Sequence, residues 1–447
     1  MSNPTRRRLR WAYAAPAFAL AFVGIPVYVY LPSFYTDVVG VDIAVVGYIL
    51  LADRLFDAVT DPAIGVLSDR TKTRFGRRRP FVLGASLPLA VSIFLLLSPP
   101  ASLSPSAAAW WFGVTLFLMF LSWTVLVVPY EALGPELTFD HHERTELLGT
   151  RDGTLILGTV VAAAAPSLVG NLFALGEGPS AERARFFYVG LGYAPLIVLL
   201  SAICVLVVRE RASGMAALRA TREGLAALRE NRAFWILLSA YTLGTLAFNL
   251  AGALLLYYVR YVLESDRADL FLVIYLLSGV LCLPLWIALS RRIGKRATWL
   301  WGMAVYAVGG AAIFLLDAGD ATLYGFLCFI TGMTFGATVA IPSSMQADVI
   351  DYDELLSGER REGLFMGIWA VIRKLAAALG VGVALPLLAL AGYLPNQPQT
   401  ETTRLVLRVL YVGVPVVCNL GAMLIARRYP IDEARHREIR AAIDHEP

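Results

Sequence analysis

The chain has 447 residues, 58% of them hydrophobic and 16% charged, with a mean hydropathy of +0.65 and a formal net charge of +4. Soluble domains carry about 25% charged and 45–50% apolar residues, so this composition excludes a secreted enzyme, a nucleic-acid binder and a disordered scaffold. A membrane-spanning helix takes about 20 apolar residues, and a chain of this length holds about twelve with short connections.

Apolar runs near 11–35, 43–67, 81–98, 108–135, 147–173, 186–208, 233–259, 268–289, 298–316, 321–347, 363–392 and 405–426 predict spans 1 to 12. Span 1 is too long for a cleavable signal peptide and lacks a small-residue cleavage site before the next run. Tyr28 within it, like Trp123, Tyr241 and Trp369 further on, is an aromatic that can stack on a sugar ring or simply pack.

Span 2 carries Asp53, Arg54, Asp57 and Asp61 in an otherwise apolar run. The acids recur every fourth residue, which puts all three carboxylates in one stripe, and Arg54 lies three residues before Asp57, within reach of it. Charges facing lipid are costly, so the stripe is expected to face the protein interior. One reading is an intrahelical ion pair that only fixes packing. Three acids against one base leave a net negative cluster, however. Such a cluster takes sodium, a proton on a carboxylate of raised pKa, or a basic side chain from another helix. After span 2 stands Asp69-Arg70, then Arg74-Phe75-Gly76-Arg77-Arg78-Arg79-Pro80.

Glu131, Arg151 and Asp152 fall in spans 4 and 5, where Glu131 and Arg151 form either a structural ion pair or part of a ligand site. Residues 209–232 are the longest polar connection, Arg-rich with Leu218, Leu225 and Leu228 at helical spacing, and read as a surface helix joining two halves. Between spans 8 and 9, Arg291-Arg292-Ile293-Gly294-Lys295-Arg296 repeats the basic cluster around a glycine found between spans 2 and 3. The chain is thus an internal duplication. The expected organisation is a six-helix half over 1–208, the 209–232 linker, a second six-helix half over 233–430 and a tail over 431–447.

After span 10 the acidic connection Asp348, Asp351, Asp353 and Glu354 lies on the same side as the basic loops. With Asp69, Arg70, Arg77 and Arg78 it can form ion pairs that hold that side shut in one state, or a solvated turn. In span 11 Lys374 is the only lysine within any apolar run. It either neutralises the acids of span 2 when no cation is bound or snorkels, with Arg373, to the surface.

The Lys and Arg residues set orientation. With the N-terminus inside, 28 of the 38 fall in the tails and even-numbered connections and five in the outside ones, so both termini are expected to be cytoplasmic. The four cysteines sit in apolar runs without metal-ligand spacing, and the four histidines fall in polar connections. No phosphate-binding Gly-x-x-x-x-Gly-Lys loop is present, so an ion gradient or the substrate's own gradient drives any transport.

Duplicated six-span halves resemble the major facilitator transporters, with a substrate site between halves at the membrane midplane. Asp57-Ala58-Val59-Thr60-Asp61-Pro62, the Arg74–Pro80 loop, Pro129-Tyr130 and Asp348-Val349-Ile350-Asp351-Tyr352-Asp353-Glu354 together resemble the glycoside–pentoside–hexuronide:cation symporter family over nearly the whole chain. The resemblance implies that Asp57 and Asp61 are the coupling carboxylates, that Arg54 and Arg151 line the site, and that Lys374 is the span-11 lysine. A melibiose permease-type site has sugar-contacting aspartates in spans 1 and 4, where this chain has Ala21 and Val127; Glu131 can replace one acceptor.

The expected protein is therefore an all-α, twelve-span major facilitator in a bacterial inner membrane, and not an enzyme. It couples Na+ or H+ to uptake of a sugar or glycoside. The alternative cargo is a lysophospholipid-like amphipath. Asp57, Asp61 and Asp53 bind the cation, the only metal expected. Arg54, Glu131, Arg151, Lys374, Trp369 and Tyr28 serve substrate or coupling, and Asp69, Arg70, Arg77, Arg78, Asp348 and Asp351 serve gating. No cofactor and no nucleic acid are expected, and the bilayer and a small molecule are the partners of a functional monomer.

Overall fold

The computed structural model describes residues 4–71, 73–137, 141–210, 231–357 and 362–445, and all regular structure among them is helical. The expected linker lies almost wholly outside the described residues. In chain order the helices are α1 (Pro4–Leu20), α2 (Ile25–Ser33), α3 (Ile43–Arg70), α4 (Arg79–Leu97), α5 (Pro105–Leu137), α6 (His141–Leu172) and α7 (Pro179–Val207). Then come α8 (Arg232–Tyr261), α9 (Ala268–Ile293), α10 (Lys295–Phe314), α11 (Ala321–Ser357), α12 (Glu362–Leu390), α13 (Glu401–Arg408), α14 (Val414–Ala426) and α15 (Glu433–His445).

Local chemistry sets several of these ends. A 3₁₀ turn at Ala21–Val23 and the break at Gly24 separate α1 from α2, and a π-helical turn, Phe34–Val39, closes the first long element. That turn ends at Gly40, whose φ of +91° is the left-handed conformation a glycine adopts without a Cβ penalty. The Asp42 carboxylate then caps α3 by accepting from the N–H groups of Ala44 (2.8 Å) and Val45 (3.2 Å). The Asn231 side chain caps α8 by accepting from Phe234 N–H at 3.0 Å.

Eleven elements of the described chain are long and apolar enough to cross a membrane. Helix α3 is not one of them, because the charges of its acidic stripe fall inside its apolar run. Large apolar side chains such as Trp110, Leu172, Val308 and Leu390 are exposed. On a water-soluble surface they would form aggregation-prone patches, and in a bilayer they meet lipid.

The chain forms two compact units, Met1–Met215 with Leu385–Pro398, and Ala216–Ala384 with Gln399–Pro447. In the first unit α1 packs on α6 and α7, α3 on α5, and α4 on α5 and α7. In the second, α8 packs on α14, α9 on α11, and α10 on α11 and α14. The duplication read in the basic loops thus recurs in the packing. Glycines permit the closest approaches. A Cβ on Gly158 would run into the backbone of Phe18, and one on Gly332 would run into Tyr275 and Ser278.

Helix α12 is divided: Leu385–Pro398 groups with the first unit. Pro386 sits against Gly47, where a Cβ would approach to 2.6 Å. The Tyr393 hydroxyl donates to the buried Asp37 carboxylate, and Asn396 Nδ2 donates to the Asp37 carbonyl at 2.5 Å.

Candidate functional site

Helices α3 and α5 run parallel and in register. Ile49 meets Gly113, the Phe56 and Phe117 ring centroids are 4.3 Å apart, and Gly65 faces Val128. This register brings Thr124, in the middle of α5, opposite the acidic stripe. Asp57 and Asp53 are 2% and 5% exposed, so the stripe faces the interior as its spacing predicts.

The Thr124 hydroxyl lies 2.8 Å from Asp57 Oδ1 and 2.9 Å from Asp61 Oδ1. A threonine hydroxyl carries one hydrogen and can donate to only one of them. The other short oxygen–oxygen contact requires either a proton on a carboxylate, which then donates to threonine, or a cation shared by the oxygens. The trio of two carboxylates and a hydroxyl therefore concentrates acceptor oxygens around one hydroxyl hydrogen. Among the described residues no group of three or more His, Cys, Asp or Glu is placed to hold a metal ion.

Arg54 reaches back toward the stripe, with Nη1 at 3.4 Å from Asp57 Oδ2. Its guanidinium carbon lies 3.9 Å from the centroid of the Tyr28 ring and 4.8 Å from that of Phe120. Those two rings stack at 5.8 Å. One face of Tyr28 is thus taken by a cation, and its hydroxyl is buried without a hydrogen-bond partner among the described residues.

A second polar cluster of the first unit gathers Tyr13, Tyr130, Glu131, Arg151 and Asp152. The Tyr13 and Tyr130 rings stack at 5.1 Å, and Tyr130 Oη donates to the Tyr13 carbonyl at 2.7 Å. A Cβ on Gly134 would collide with the Tyr13 hydroxyl, so glycine makes room for it. Arg151 donates to Asp152 at 2.8 Å and interacts electrostatically with Tyr13 and Glu131. Exposed Glu131 thus shares an electrostatic interaction with Arg151.

In the second unit, half-buried Lys374 stands mid-way along α12. Trp369, one turn earlier, is buried and stacks on Tyr241 at 4.4 Å. Among the expected gating residues, buried Asp348 receives Lys295 Nζ on both carboxylate oxygens at 2.7 Å. His436, from α15, lies 3.1 Å from Asp351 and 3.5 Å from Asp348. Burial and the nearby Asp348 push the Tyr429 phenol well above its ordinary range. Arg70 is exposed, while the side chain of Asp69 lies outside what is described.

Arg77 and Arg78 act partly through their backbone. Their N–H groups and that of Arg79 donate to the Glu210 carboxylate at 2.7, 2.8 and 2.6 Å. Three successive N–H groups at a helix start form an anion nest, and Glu210 fills it from the end of α7. Neither Glu210 nor Thr124 is marked in the sequence. One opens an unremarkable polar connection and the other is a lone hydroxyl in an apolar run.

A family model described as MFS/sugar transport protein matches residues 12–433. The inner membrane symporter YicJ of Escherichia coli is 28% identical over 90% of this chain and 87% of its own. The isoprimeverose transporter of Lactiplantibacillus pentosus is 28% identical over 91% of this chain and 85% of its own. Among solved structures, the nucleoside transporter NupG superposes with a TM-score of 0.66, covering 96% of this chain and all of that one, at 12% identity. That likeness concerns the fold alone.

Proposed function

Since the chain belongs to the MFS/sugar transport family, and within it to the glycoside–pentoside–hexuronide:cation symporters, we propose that it couples Na+ or H+ to import of a sugar or glycoside by alternating access. It is a multi-pass plasma-membrane protein. In this reading α3 crosses as the twelfth span, both termini are cytoplasmic, and the protein works as a monomer.

The observation that carries the reading is the Thr124 hydroxyl held between Asp57 and Asp61. Two carboxylates converging on one hydroxyl repel each other, and the Arg54 guanidinium at 3.4 Å from Asp57 offsets part of that charge and a bound cation the rest. Asp53, one turn earlier and buried, adds to the negative field. The cation binds at Asp57, Asp61 and Thr124, with Arg54 as the resident counter-charge, and Lys374 serves coupling. Glu131 and Arg151 offer an acceptor and donors to substrate hydroxyls, and Tyr28 and Trp369 add aromatic surface. Cation and substrate together favour the occluded state, so each raises the other's affinity by the same factor. Asp69, Arg70, Arg77, Arg78, Asp348 and Asp351 gate the cytoplasmic side.

The test is accumulation of labelled glycosides, isoprimeverose first, in inverted or right-side-out vesicles under imposed Na+ and pH gradients. Accumulation should depend on one of the two gradients and vanish in Asp57→Asn. Undiminished accumulation in that variant would remove the carboxylate from the mechanism. Ala21, buried where a melibiose permease-type site has an acid, favours a second cargo, a lysophospholipid-like amphipath. Gradient-dependent movement of lysophosphatidylcholine but of no glycoside would establish that cargo instead.

A further inference from the structure

We propose that Tyr28 and Phe120 form a seat for the guanidinium of Arg54, and that this seat sets how tightly the coupling cation binds at Asp57. The inference rests on Asp57 and Asp61 being the cation's ligands.

Two of the attractions on Arg54 bear on the cation. On one side is Asp57 Oδ2, at 3.4 Å from Nη1, longer than the 2.7–2.9 Å of a close charge-assisted bond. On the other side are two ring faces, with the guanidinium carbon 3.9 Å from the Tyr28 centroid and 4.8 Å from the Phe120 centroid. Phe120 is 2% exposed, so the cation–π attraction acts away from water, where it is strongest. The guanidinium is planar and weakly hydrated, and stacks where an ammonium would not.

An entering cation and Arg54 compete for the same carboxylate. When the cation takes Asp57, Arg54 must give up its share of that charge, and the rings are where its own charge remains stabilised. Without the rings, Arg54 settles more fully on Asp57 in the cation-free state, and the cation has more to displace. Tyr28 and Phe120 are therefore positioning residues that act through Arg54. This gives Tyr28 a role that needs its ring and not its hydroxyl.

The test is a titration of purified protein with Na+ at fixed pH, and with protons in the absence of Na+, followed by thermal stability. A cation that binds only the folded protein raises its midpoint. Phe120→Leu and Tyr28→Leu should each weaken the effective cation by about 2- to 30-fold, the range of a cation–π contact expressed as affinity. Tyr28→Phe, which keeps the ring, should match the wild type. Arg54→Gln should tighten cation binding, and in that background Phe120→Leu should change nothing further. Should Phe120→Leu fail to fold, Arg54→Lys tests the same point, since it keeps the charge and loses the stack; it should weaken binding.

Two results overturn the seat alone: a wild type that responds to the cation while both leucine variants keep its affinity, or a Phe120→Leu loss that persists in Arg54→Gln. A wild type that responds to neither Na+ nor protons would overturn the cation site and the seat with it.

Discussion

Thr124 offers one hydroxyl hydrogen to two carboxylate oxygens, at 2.8 and 2.9 Å, and on this mismatch the proposed cation site rests. Thr124→Val keeps the shape and removes the oxygen. It should weaken cation binding by about 10- to 100-fold, the value of a hydrogen bond to a charged group, while Thr124→Ser should stay within about threefold of the wild type. Cation titration followed by thermal shift measures both, and equal affinities for valine and serine variants would show that the oxygen is not a ligand. The acids of this site are legible in the sequence because a charge inside an apolar run is costly and needs a reason. Thr124 is not legible. A threonine inside a helix usually satisfies itself on its own backbone carbonyl four residues back, as Thr154 does on Thr150 at 2.8 Å. Only the pairing of α3 with α5 reveals that Thr124 turns elsewhere.

Elements are held by contacts that join distant segments. Glu210 collects three N–H groups at the start of α4, and the Arg79 guanidinium returns the favour by donating to the Val205 carbonyl at 3.0 Å. Gly76 stands beside this carboxylate with a φ of +105°, where a Cβ would come within 2.6 Å of it. The sequence explains the basic residues of the loop as markers of orientation. It does not show that their backbone wraps an acid from the end of α7, because backbone donors leave no trace in residue type. Glu210→Gln should lower stability by about 1–3 kcal/mol, since the amide loses the charge and turns donors toward donors. Thermal unfolding in detergent reads this directly, and an unchanged midpoint would mean that solvent replaces the carboxylate without loss. Helix α3 also shows a limit of reading elements by hydropathy. The charges of its acidic stripe are the ones that leave it short of the uninterrupted apolar run of a span.

At the scale of the whole molecule, the fold was legible from periodic apolar runs and from a repeated basic loop, and four helix pairs of the first unit recur in the second, while the packing of α1 on α6 has no counterpart among the second unit's main pairs. The cargo was not legible, because recognition depends on which side chains converge from separate helices. The Tyr13, Tyr130, Glu131 and Arg151 cluster assembles residues from α1, α5 and α6, and no spacing along one helix announces it. The claim that unites these scales is that one positive charge at the Asp57, Asp61 and Thr124 trio accompanies each substrate molecule. Simultaneous measurement of sugar flux and ion flux in proteoliposomes tests it most directly. About one Na+ or H+ carried per sugar is expected, since the proposed site holds a single pair of converging carboxylates, with loss of the ion flux in Asp57→Asn. Sugar moving down its own gradient at an undiminished rate with no accompanying ion would contradict it.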